Sequence, residues 1–314
     1  MAINDWVFGI DGGGTSSRIR AESLSGDRLY EGSSGGTNLN ATSVESVAIT
    51  LRSLIEGAMA AGLDPLSCRA GFIGSAGVDL PEDRKSMTGA LQTAFRTASS
   101  EGNPVFGAAN DSEPALVGAL DDTEGILLIA GTGSIAFGRT RDGRRERAGG
   151  WGHFLGDEGS AFWIAFEGIR RGIHASEGRI QASGLLEASL RHFALADAQE
   201  LIPLTFWNFD KARIASFAPM VARLAGHGDS VAMSILDEAV VELAGIATSV
   251  YDRLAPHLSR KRLALYGGLL EKNRDLRSRV GDRLVSLRPE LHLVEPAKDA
   301  QSGACRLARE LIHA

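Results

Sequence analysis

The stretch that most constrains the fold is residues 7–20, VFGIDGGGTSSRIR. An apolar run ends at Asp11, three glycines and the hydroxyl of Thr15 follow, and an alternating segment then resumes. This pattern predicts a strand, a tight glycine turn and a second strand. Because glycines have no Cβ atoms, the backbone N–H groups can approach a large anion closely. The Asp11 carboxylate would be repelled by such an anion unless a divalent cation lay between the two negative charges. The stretch predicts a phosphate-binding turn with a magnesium-positioning acid, or else an ordinary hairpin.

A second stretch, residues 125–140, repeats this pattern. An apolar segment at 125–130 leads into Gly131-Thr132-Gly133-Ser134, and residues 135–140 resume a strand pattern before a turn at Asp142-Gly143. The similarity predicts an internal duplication, with two turns that would hold a polyphosphate from two sides. No lysine lies near either turn in the sequence, and the Walker A pattern is absent. The sequence therefore predicts binding by backbone N–H groups, hydroxyls and a metal.

Asp111 follows an apolar strand pattern at residues 105–109. Ser112 is expected to cap a helix that begins there, which places Asp111 at the end of a strand and beside a helix N-terminus. Open α/β sheets bind ligands at such positions, and the helix dipole is expected to favour the ionised carboxylate. An ionised carboxylate there can accept a proton from a substrate hydroxyl. The alternative is a capping aspartate without a chemical role.

A third glycine-dense stretch spans residues 149–160, GGWGHFLGDEGS. Its glycines allow a ligand to approach the backbone, Trp151 offers a flat apolar face suited to a sugar ring, and Asp157 offers an acceptor for hydroxyls. Trp151 could instead belong to the core. His153 is expected to be structural, because no second His or Cys completes a zinc set.

A glycine pair, Gly267-Gly268, follows a strand pattern at residues 262–266. It would let a flat ring such as adenine lie against the backbone, or it could simply begin a helix. The remaining apolar spacing predicts strands at 69–73 and 291–294 and helices at 43–61, 80–98, 160–173, 183–194, 197–206, 211–225, 229–254 and 302–313.

Size and charge narrow the function classes. A chain of 314 residues is long enough for two domains. The 39 acidic residues outnumber the 33 basic ones, so we expect no nucleic-acid partner and no anionic membrane surface. We also expect no transmembrane helix, no signal peptide and a cytoplasmic protein. Cys68 and Cys305 lie far apart in sequence and are expected to be reduced thiols.

Together these motifs resemble the BadF/BadG/BcrA/BcrD ATPase family of the actin–hexokinase–Hsp70 superfamily, and within it the N-acetylglucosamine kinases. The two glycine turns and Gly267-Gly268 match the phosphate and adenosine loops, and residues 149–160 match the N-acetylglucosamine kinase branch more specifically. The resemblance implies an α/β fold of two ribonuclease-H-like (actin-like ATPase) domains with an active-site cleft between them. Residues 1–115, joined by the helix at 302–314, would form the first domain, and residues 116–301, with a helical insertion, the second.

The resemblance also implies roles for individual residues. ATP would be bound by Gly12, Gly13, Gly14, Thr15, Thr132, Gly133, Ala215, Gly267 and Gly268. Asp11 would hold Mg²⁺ through water, and Asp111 would be the catalytic base. The sugar would be bound by Asn38, Asp111, Ser134, Gly150, Trp151, Gly152 and Asp157. The implied reaction transfers phosphate from ATP to the 6-hydroxyl of N-acetylglucosamine, and a homodimer is compatible with the family.

One residue departs from the family pattern. Ile135 follows Ser134, where mammalian-type N-acetylglucosamine kinases carry an asparagine that faces the sugar. Glucosamine and N-acetylmuramic acid therefore remain alternative substrates. An activator ATPase of a 2-hydroxyacyl-CoA dehydratase is a further alternative, although Cys68 and Cys305 lie outside the mid-chain region in which such activators hold an iron–sulfur cluster.

Overall fold

The structure is a computed structural model that describes residues 5–38 and 43–313. The chain forms ten strands and twelve α-helices over these residues. The strands are β1 (Trp6–Gly12), β2 (Ser17–Ser23), β3 (Arg28–Ser34), β4 (Cys68–Ser75), β5 (Val105–Ala109), β6 (Gly125–Ala130), β7 (Ser134–Arg139), β8 (Arg145–Gly149), β9 (Arg262–Tyr266) and β10 (His292–Val294). The helices are α1 (Val44–Ala60), α2 (Pro81–Ala98), α3 (Ser112–Leu120), α4 (Ala161–Ser176), α5 (Leu185–Phe193), α6 (Leu201–Phe206), α7 (Lys211–Ala215), α8 (Ala218–Gly226), α9 (Ser230–Leu254), α10 (Gly268–Lys272), α11 (Arg274–Leu287) and α12 (Ala300–Leu311).

The chain divides into two compact units. Unit 1 is Met1–Gly125 with Glu295–Ala314, and unit 2 is Ile126–Val294. These bounds differ from the predicted boundaries at 115 and 301, because α3 and the segment before α12 belong to unit 1. A Cβ on Gly303 of α12 would clash with the carbonyl oxygen of Pro114 in α3, so the two helices pack backbone to backbone.

Unit 1 is built on a five-stranded sheet in the order β3-β2-β1-β4-β5. The first three strands are antiparallel, and β1, β4 and β5 run parallel, as connections through α1 and α2 require. Strand β1 is buried along most of its length, with Trp6, Phe8 and Ile10 in the core. Gly9 lets α12 lie directly on β1, since a Cβ there would come within 2.6 Å of the Gln301 carbonyl oxygen.

Unit 2 repeats this sheet in the order β8-β7-β6-β9-β10. Strands β7 and β8 are antiparallel, and β6, β9 and β10 are parallel. Each sheet thus has its first strand in the centre, two meander strands on one side and two crossover strands on the other, which confirms the predicted duplication. The helices of unit 2 pack around α9, whose buried face includes Ile235, Ala239, Leu243 and Val250.

Most predicted elements are confirmed, and two regions of unit 2 differ. The single helix expected at 211–225 is two helices, α7 and α8. Pro219 has no N–H to donate to the Ala215 carbonyl, so the helical hydrogen bonds are interrupted there. Helix α11 was not predicted, although Leu276, Val280 and Leu284 recur at helical spacing and are buried. None of the helices described has the length and apolar character to span a membrane.

Candidate active site

Asp11 and Asp111 lie at the same edge of the sheet of unit 1. Asp11 is the partner of Gly74 in the parallel pair of β1 and β4, and Gly74 is the partner of Ala109 in the pair of β4 and β5. Asp111 follows Ala109 by two residues. A Cβ on Gly74 would clash with the Pro114 side chain and lie 3.3 Å from the Asp111 Cα, so glycine at this position lets the start of α3 pack directly on β4. The carboxyl ends of three parallel strands therefore bring both carboxylates together.

The Asp111 carboxylate does not cap α3. Asp111 occupies the N-cap position, but its side chain accepts no hydrogen bond from the helix, and Ser112 is the first helical residue rather than the cap. The Asn110 Oδ1 atom accepts instead, from the Ser112 backbone N–H at 3.1 Å and from the Ser112 hydroxyl at 2.7 Å. The carboxylate of Asp111 is therefore available for another purpose.

The pKa of Asp111 is raised from 3.8 to about 6, mainly because the carboxyl is buried and also because Asp11 and Asp79 are negatively charged. The nearby Ser112 backbone N–H, which donates to Asn110, acts in the opposite direction on this pKa and is outweighed. Burial therefore outweighs the expected effect of the helix N-terminus at this carboxyl. A pKa close to neutrality suits a group that must accept a proton during a reaction.

Asp11 could contribute to a magnesium site. Its Oδ2 atom accepts a hydrogen bond from Arg18 Nη2 at 2.9 Å, and the Arg18 side chain is 60% exposed. Within residues 5–38 and 43–313, no group of three or more His, Cys, Asp or Glu side chains could hold a metal by itself. Mg²⁺ commonly binds through one or two carboxylates with water and substrate phosphates, so Asp11 beside Asp111 fits an ion that arrives with a nucleotide.

The first glycine turn joins β1 to β2, and Gly12 and Gly13 are required there by their neighbours. The Gly13 N–H donates to the Ser16 carbonyl at 3.1 Å, and the Thr37 N–H donates to the Gly13 carbonyl at 3.0 Å. A Cβ on Gly12 would clash with Thr37 Oγ1, and one on Gly13 would come within 2.8 Å of the Ser16 carbonyl oxygen. The turn is therefore shaped by packing inside unit 1.

The tip of this turn is open and lies beside Asn38. Gly14 and Thr15 are exposed, and a Cβ on Gly14 would meet only the Asn38 Nδ2 atom, at 4.0 Å. Unit 1 thus brings the predicted phosphate turn and the predicted sugar-binding asparagine next to each other.

A pocket in unit 2 contains several of the residues predicted to bind the nucleotide. Its volume is ≈ 540 Å³, and its lining includes Gly131, Thr132, Ala215 and Gly268. The pairing of β6 with β9 explains this, because the turns that follow both strands meet at one edge of the sheet. Gly267 has φ of +100°, and a Cβ there would lie 2.6 Å from the Ala130 carbonyl oxygen, so this turn requires glycine. The volume of the pocket falls in the range typical of small-molecule sites.

Beneath the second glycine turn, Asp157 is almost completely buried and is held on both oxygens. Its Oδ1 atom accepts from the Ser134 backbone N–H at 3.0 Å, and its Oδ2 atom accepts from Lys211 Nζ at 2.6 Å. A Cβ on Gly133 would lie 2.6 Å from Oδ1. A lysine therefore does lie at this turn, contrary to the sequence-based expectation, because α7 returns to it from more than fifty residues away.

The loop that follows β8 carries the other predicted sugar-binding residues. Gly150 and Gly152 have φ of +70° and +79°, a conformation that favours glycine. Trp151 is exposed rather than part of the core, and the Arg147 guanidinium lies 4.4 Å from the centre of its ring. Ile135 packs under Gly150, where an added Cβ would be 2.7 Å from Ile135 Cδ1. An apolar side chain therefore supports the loop at this position.

Neither His153 nor the two cysteines forms part of a ligand set in the described residues. The His153 ring stacks on Phe209 at 4.7 Å and contacts Phe154 at 4.1 Å, in agreement with a structural role. Burial, followed by the charge of Lys211, lowers its pKa. Cys68 and Cys305 are free and buried, and burial raises the pKa of both thiols, which makes them poor candidates for binding a cluster.

The fold and the site define an α/β ATPase of two duplicated units, of the actin-like type found in sugar kinases. The sequence profile of the BadF/BadG/BcrA/BcrD ATPase family matches residues 8–297, and the chain belongs to that family.

Relatives of known activity and one solved structure agree with this assignment. The chain is 33% identical over 307 residues to an N-acetylmuramic acid/N-acetylglucosamine kinase of Clostridium acetobutylicum, with 97% of this chain and 98% of the relative covered. It is 25% identical to an N-acetyl-D-glucosamine kinase of Dictyostelium discoideum, with 96% and 97% covered. A crystal structure from Chromobacterium violaceum, provisionally assigned as an N-acetylglucosamine kinase, matches with a TM-score of 0.71 at 28% identity and covers 97% of this chain and 99% of its own. The predictions of family, fold class and an ATP-dependent amino-sugar kinase are confirmed.

Proposed function

We propose that this protein transfers the γ-phosphate of ATP to the 6-hydroxyl of N-acetylglucosamine, giving N-acetylglucosamine 6-phosphate and ADP. The observation that carries the proposal is Asp111, a carboxyl at the end of a strand that does not cap its helix and has a pKa raised to about 6. Such a group is ionised at neutral pH, yet basic enough to take the proton of an attacking hydroxyl.

The reaction assigned to Asp111 is proton removal from the 6-hydroxyl as its oxygen attacks the γ-phosphorus in line. Most of the rate acceleration in phosphoryl transfer comes from positioning and from charge neutralisation. Asp11 would hold Mg²⁺ through water, and the ion, when bound, would neutralise charge on the phosphates. Both acids belong to unit 1 and lie at one edge of its sheet.

The nucleotide is assigned to two sets of residues. In unit 1, the turn of Gly12, Gly13, Gly14 and Thr15 is assigned to the phosphates, which its exposed tip at Gly14 and Thr15 would meet with backbone N–H groups and a hydroxyl. In unit 2, the pocket of ≈ 540 Å³ supplies Thr132, Ala215 and Gly268, with Gly133 and Gly267 shaping the two turns at its wall.

The sugar is assigned to Asn38 and Asp111 of unit 1 and to residues of unit 2. Asp157 is the charged acceptor for a hydroxyl, and Trp151, exposed on its loop, provides a flat apolar surface for the C–H face of the ring. Ser134, Gly150 and Gly152 complete the set that we propose for unit 2.

N-acetylmuramic acid is a second candidate substrate. The relative from Clostridium acetobutylicum is described as a kinase of both sugars, and the side chain under the Gly150 loop of this protein is the apolar Ile135. Glucosamine, which lacks the acetyl group, remains the alternative that the sequence leaves open.

The test is an assay of ADP release with N-acetylglucosamine, N-acetylmuramic acid, glucosamine, N-acetylmannosamine and glucose, each with ATP and Mg²⁺. We expect N-acetylglucosamine and N-acetylmuramic acid to give the highest kcat/KM. NMR of the product should place the phosphate on O6. Phosphate on another oxygen, or ADP release that does not depend on sugar, contradicts the proposal. Dimerisation and the cytoplasmic location stay predictions.

A further inference from the structure

Lys211 is a charged residue that none of the predicted roles uses. Its Nζ atom lies 2.6 Å from Asp157 Oδ2, and the Asp157 side chain in this pair is only 5% exposed. A carboxylate that is removed from water at this depth is costly unless it is paired and hydrogen-bonded. Lys211 supplies the positive charge, and the Ser134 N–H supplies the second hydrogen bond, at 3.0 Å.

The backbone on both sides of this pair is fixed. Asp157 has φ of +63°, in the left-handed region that non-glycine residues seldom occupy, and its carbonyl accepts from the Ser160 N–H at 3.1 Å. Opposite it, the Asp210 side chain caps α7 by accepting from the N–H groups of Ala212 at 2.8 Å and Arg213 at 3.1 Å. Lys211 is the first residue of that capped helix, so its side chain starts from a defined position.

We infer that Lys211 is a positioning residue for the acceptor sugar, which holds the Asp157 carboxylate in the orientation that a sugar hydroxyl requires. The inference rests on the proposed function, because it takes Asp157 as a sugar ligand. Two opposed donors, Ser134 N and Lys211 Nζ, fix the plane of the carboxylate and leave its remaining lone pairs for a ligand hydroxyl. Without Lys211, the carboxylate loses its charge partner and is held by the Ser134 N–H alone.

The kinetic test compares Lys211→Met, Lys211→Arg and the control Lys85→Met, which changes an exposed lysine of α2. We expect Lys211→Met to raise the KM for the sugar about tenfold, the loss expected from a broken partly buried charge pair, while kcat at saturating sugar changes much less. Lys211→Arg should recover part of the loss, since a guanidinium can also donate to Oδ2. An unchanged sugar KM in Lys211→Met overturns the inference.

A double-mutant cycle with Asp157→Asn shows whether Lys211 acts through Asp157 or contacts the nucleotide directly. If Lys211 acts through Asp157, adding Lys211→Met to Asp157→Asn changes the sugar KM little further. A raised KM for ATP, of equal size in both backgrounds, would instead make Lys211 a phosphate ligand and overturn the inference. Thermal unfolding of each variant shows whether it is folded before its kinetics are compared.

A third measurement examines the ion pair without using turnover. Lysine acylation, followed by mass spectrometry, should label Lys211 slowly in the wild type and faster in Asp157→Asn, with the exposed Lys272 as the internal reference. Equal labelling of Lys211 in both proteins overturns the inference about Lys211 but not the proposed function. If Lys211 is protected from acylation but calorimetry detects no sugar binding by the wild type, the Lys211–Asp157 ion pair is supported. In that case the proposed function is overturned, and with it the role of Lys211 in sugar binding.

Discussion

Asp11 and Asp111 share the carboxyl edge of one sheet, where burial and the charge of Asp11 together raise the pKa of Asp111 to about 6. The arrangement follows from three parallel strands, β1, β4 and β5, that all end at this edge. Two neighbouring acids, one of them with a pKa raised to about 6, suit the proposed division of roles, in which Asp111 exchanges a proton and Asp11 holds a cation.

The raised pKa makes a prediction about stability. Between pH 3.8 and about 6, the folded protein holds a proton on Asp111 that the unfolded chain has released. The ionised carboxylate therefore destabilises the fold above pH 6, and this penalty disappears as the pH falls to 4. Asp111→Asn, which removes the charge, should raise the melting temperature at pH 8 by several degrees and have little effect at pH 4.

The control for this prediction is Asp275→Asn, which changes a carboxylate that is 73% exposed on α11. The melting curves are recorded with EDTA, so that a bound cation does not stabilise the wild type. If Asp111→Asn raises the melting temperature by the same amount at pH 4 and at pH 8, the Asp111 carboxyl has an ordinary pKa in the folded protein.

Replacing Asp11 should weaken the use of magnesium. Because Asp11 is the acid assigned to the ion, Asp11→Asn is expected to raise the Mg²⁺ concentration for half-maximal activity about tenfold and to lower kcat. Arg18→Gln removes only an exposed ion pair, so its effect should be small. Activity titrated against Mg²⁺ at fixed ATP gives both values, and equal curves for the wild type and Asp11→Asn would remove Asp11 from the metal site.

The paired glycines after β9 should separate stability from nucleotide affinity. Gly267→Ala forces a side chain into a positive φ and against the Ala130 carbonyl, so it should lower the melting temperature markedly. Gly268→Ala meets no atom within 4 Å inside the protein, so it should fold normally and weaken ADP binding measured by calorimetry. Normal ADP affinity in Gly268→Ala would place the nucleotide elsewhere.

Ile135 provides a prediction about sugar choice. Ile135→Asn places an amide beneath the Gly150 loop, and one added hydrogen bond to the sugar would lower the KM for N-acetylglucosamine by about fivefold. The KM for ATP should be unchanged, since Ile135 is absent from the lining of the unit 2 pocket that we assign to the nucleotide. An equal change for N-acetylglucosamine and glucosamine would mean that the amide does not contact the acetyl group.

The order of the elements could be predicted from sequence because each is marked locally. The turns at residues 12–15 and 131–134 follow apolar runs, and the periodicity of α9 extends over seven turns. The duplication was visible for the same reason, since both halves begin with a strand, a glycine turn and a second strand.

The features that could not be predicted from the sequence depend on contacts between residues distant in sequence. The pairing of Lys211 with Asp157 joins positions 54 residues apart, and no local pattern marks it. The pKa of Asp111 depends on burial and on Asp11, exactly one hundred positions earlier, whereas the sequence showed only the adjacent helix N-terminus. The boundary of unit 1 extends to Gly125 because α3 packs on α12, which lies at the other end of the chain.

The most direct test of the central claim measures sugar-dependent ADP release by Asp111→Asn beside its binding of N-acetylglucosamine. Loss of the base should lower kcat by at least about a hundredfold, while calorimetry shows sugar affinity within a fewfold of the wild type. Turnover close to that of the wild type, in a variant that still binds the sugar, would contradict the assignment of Asp111 as the base.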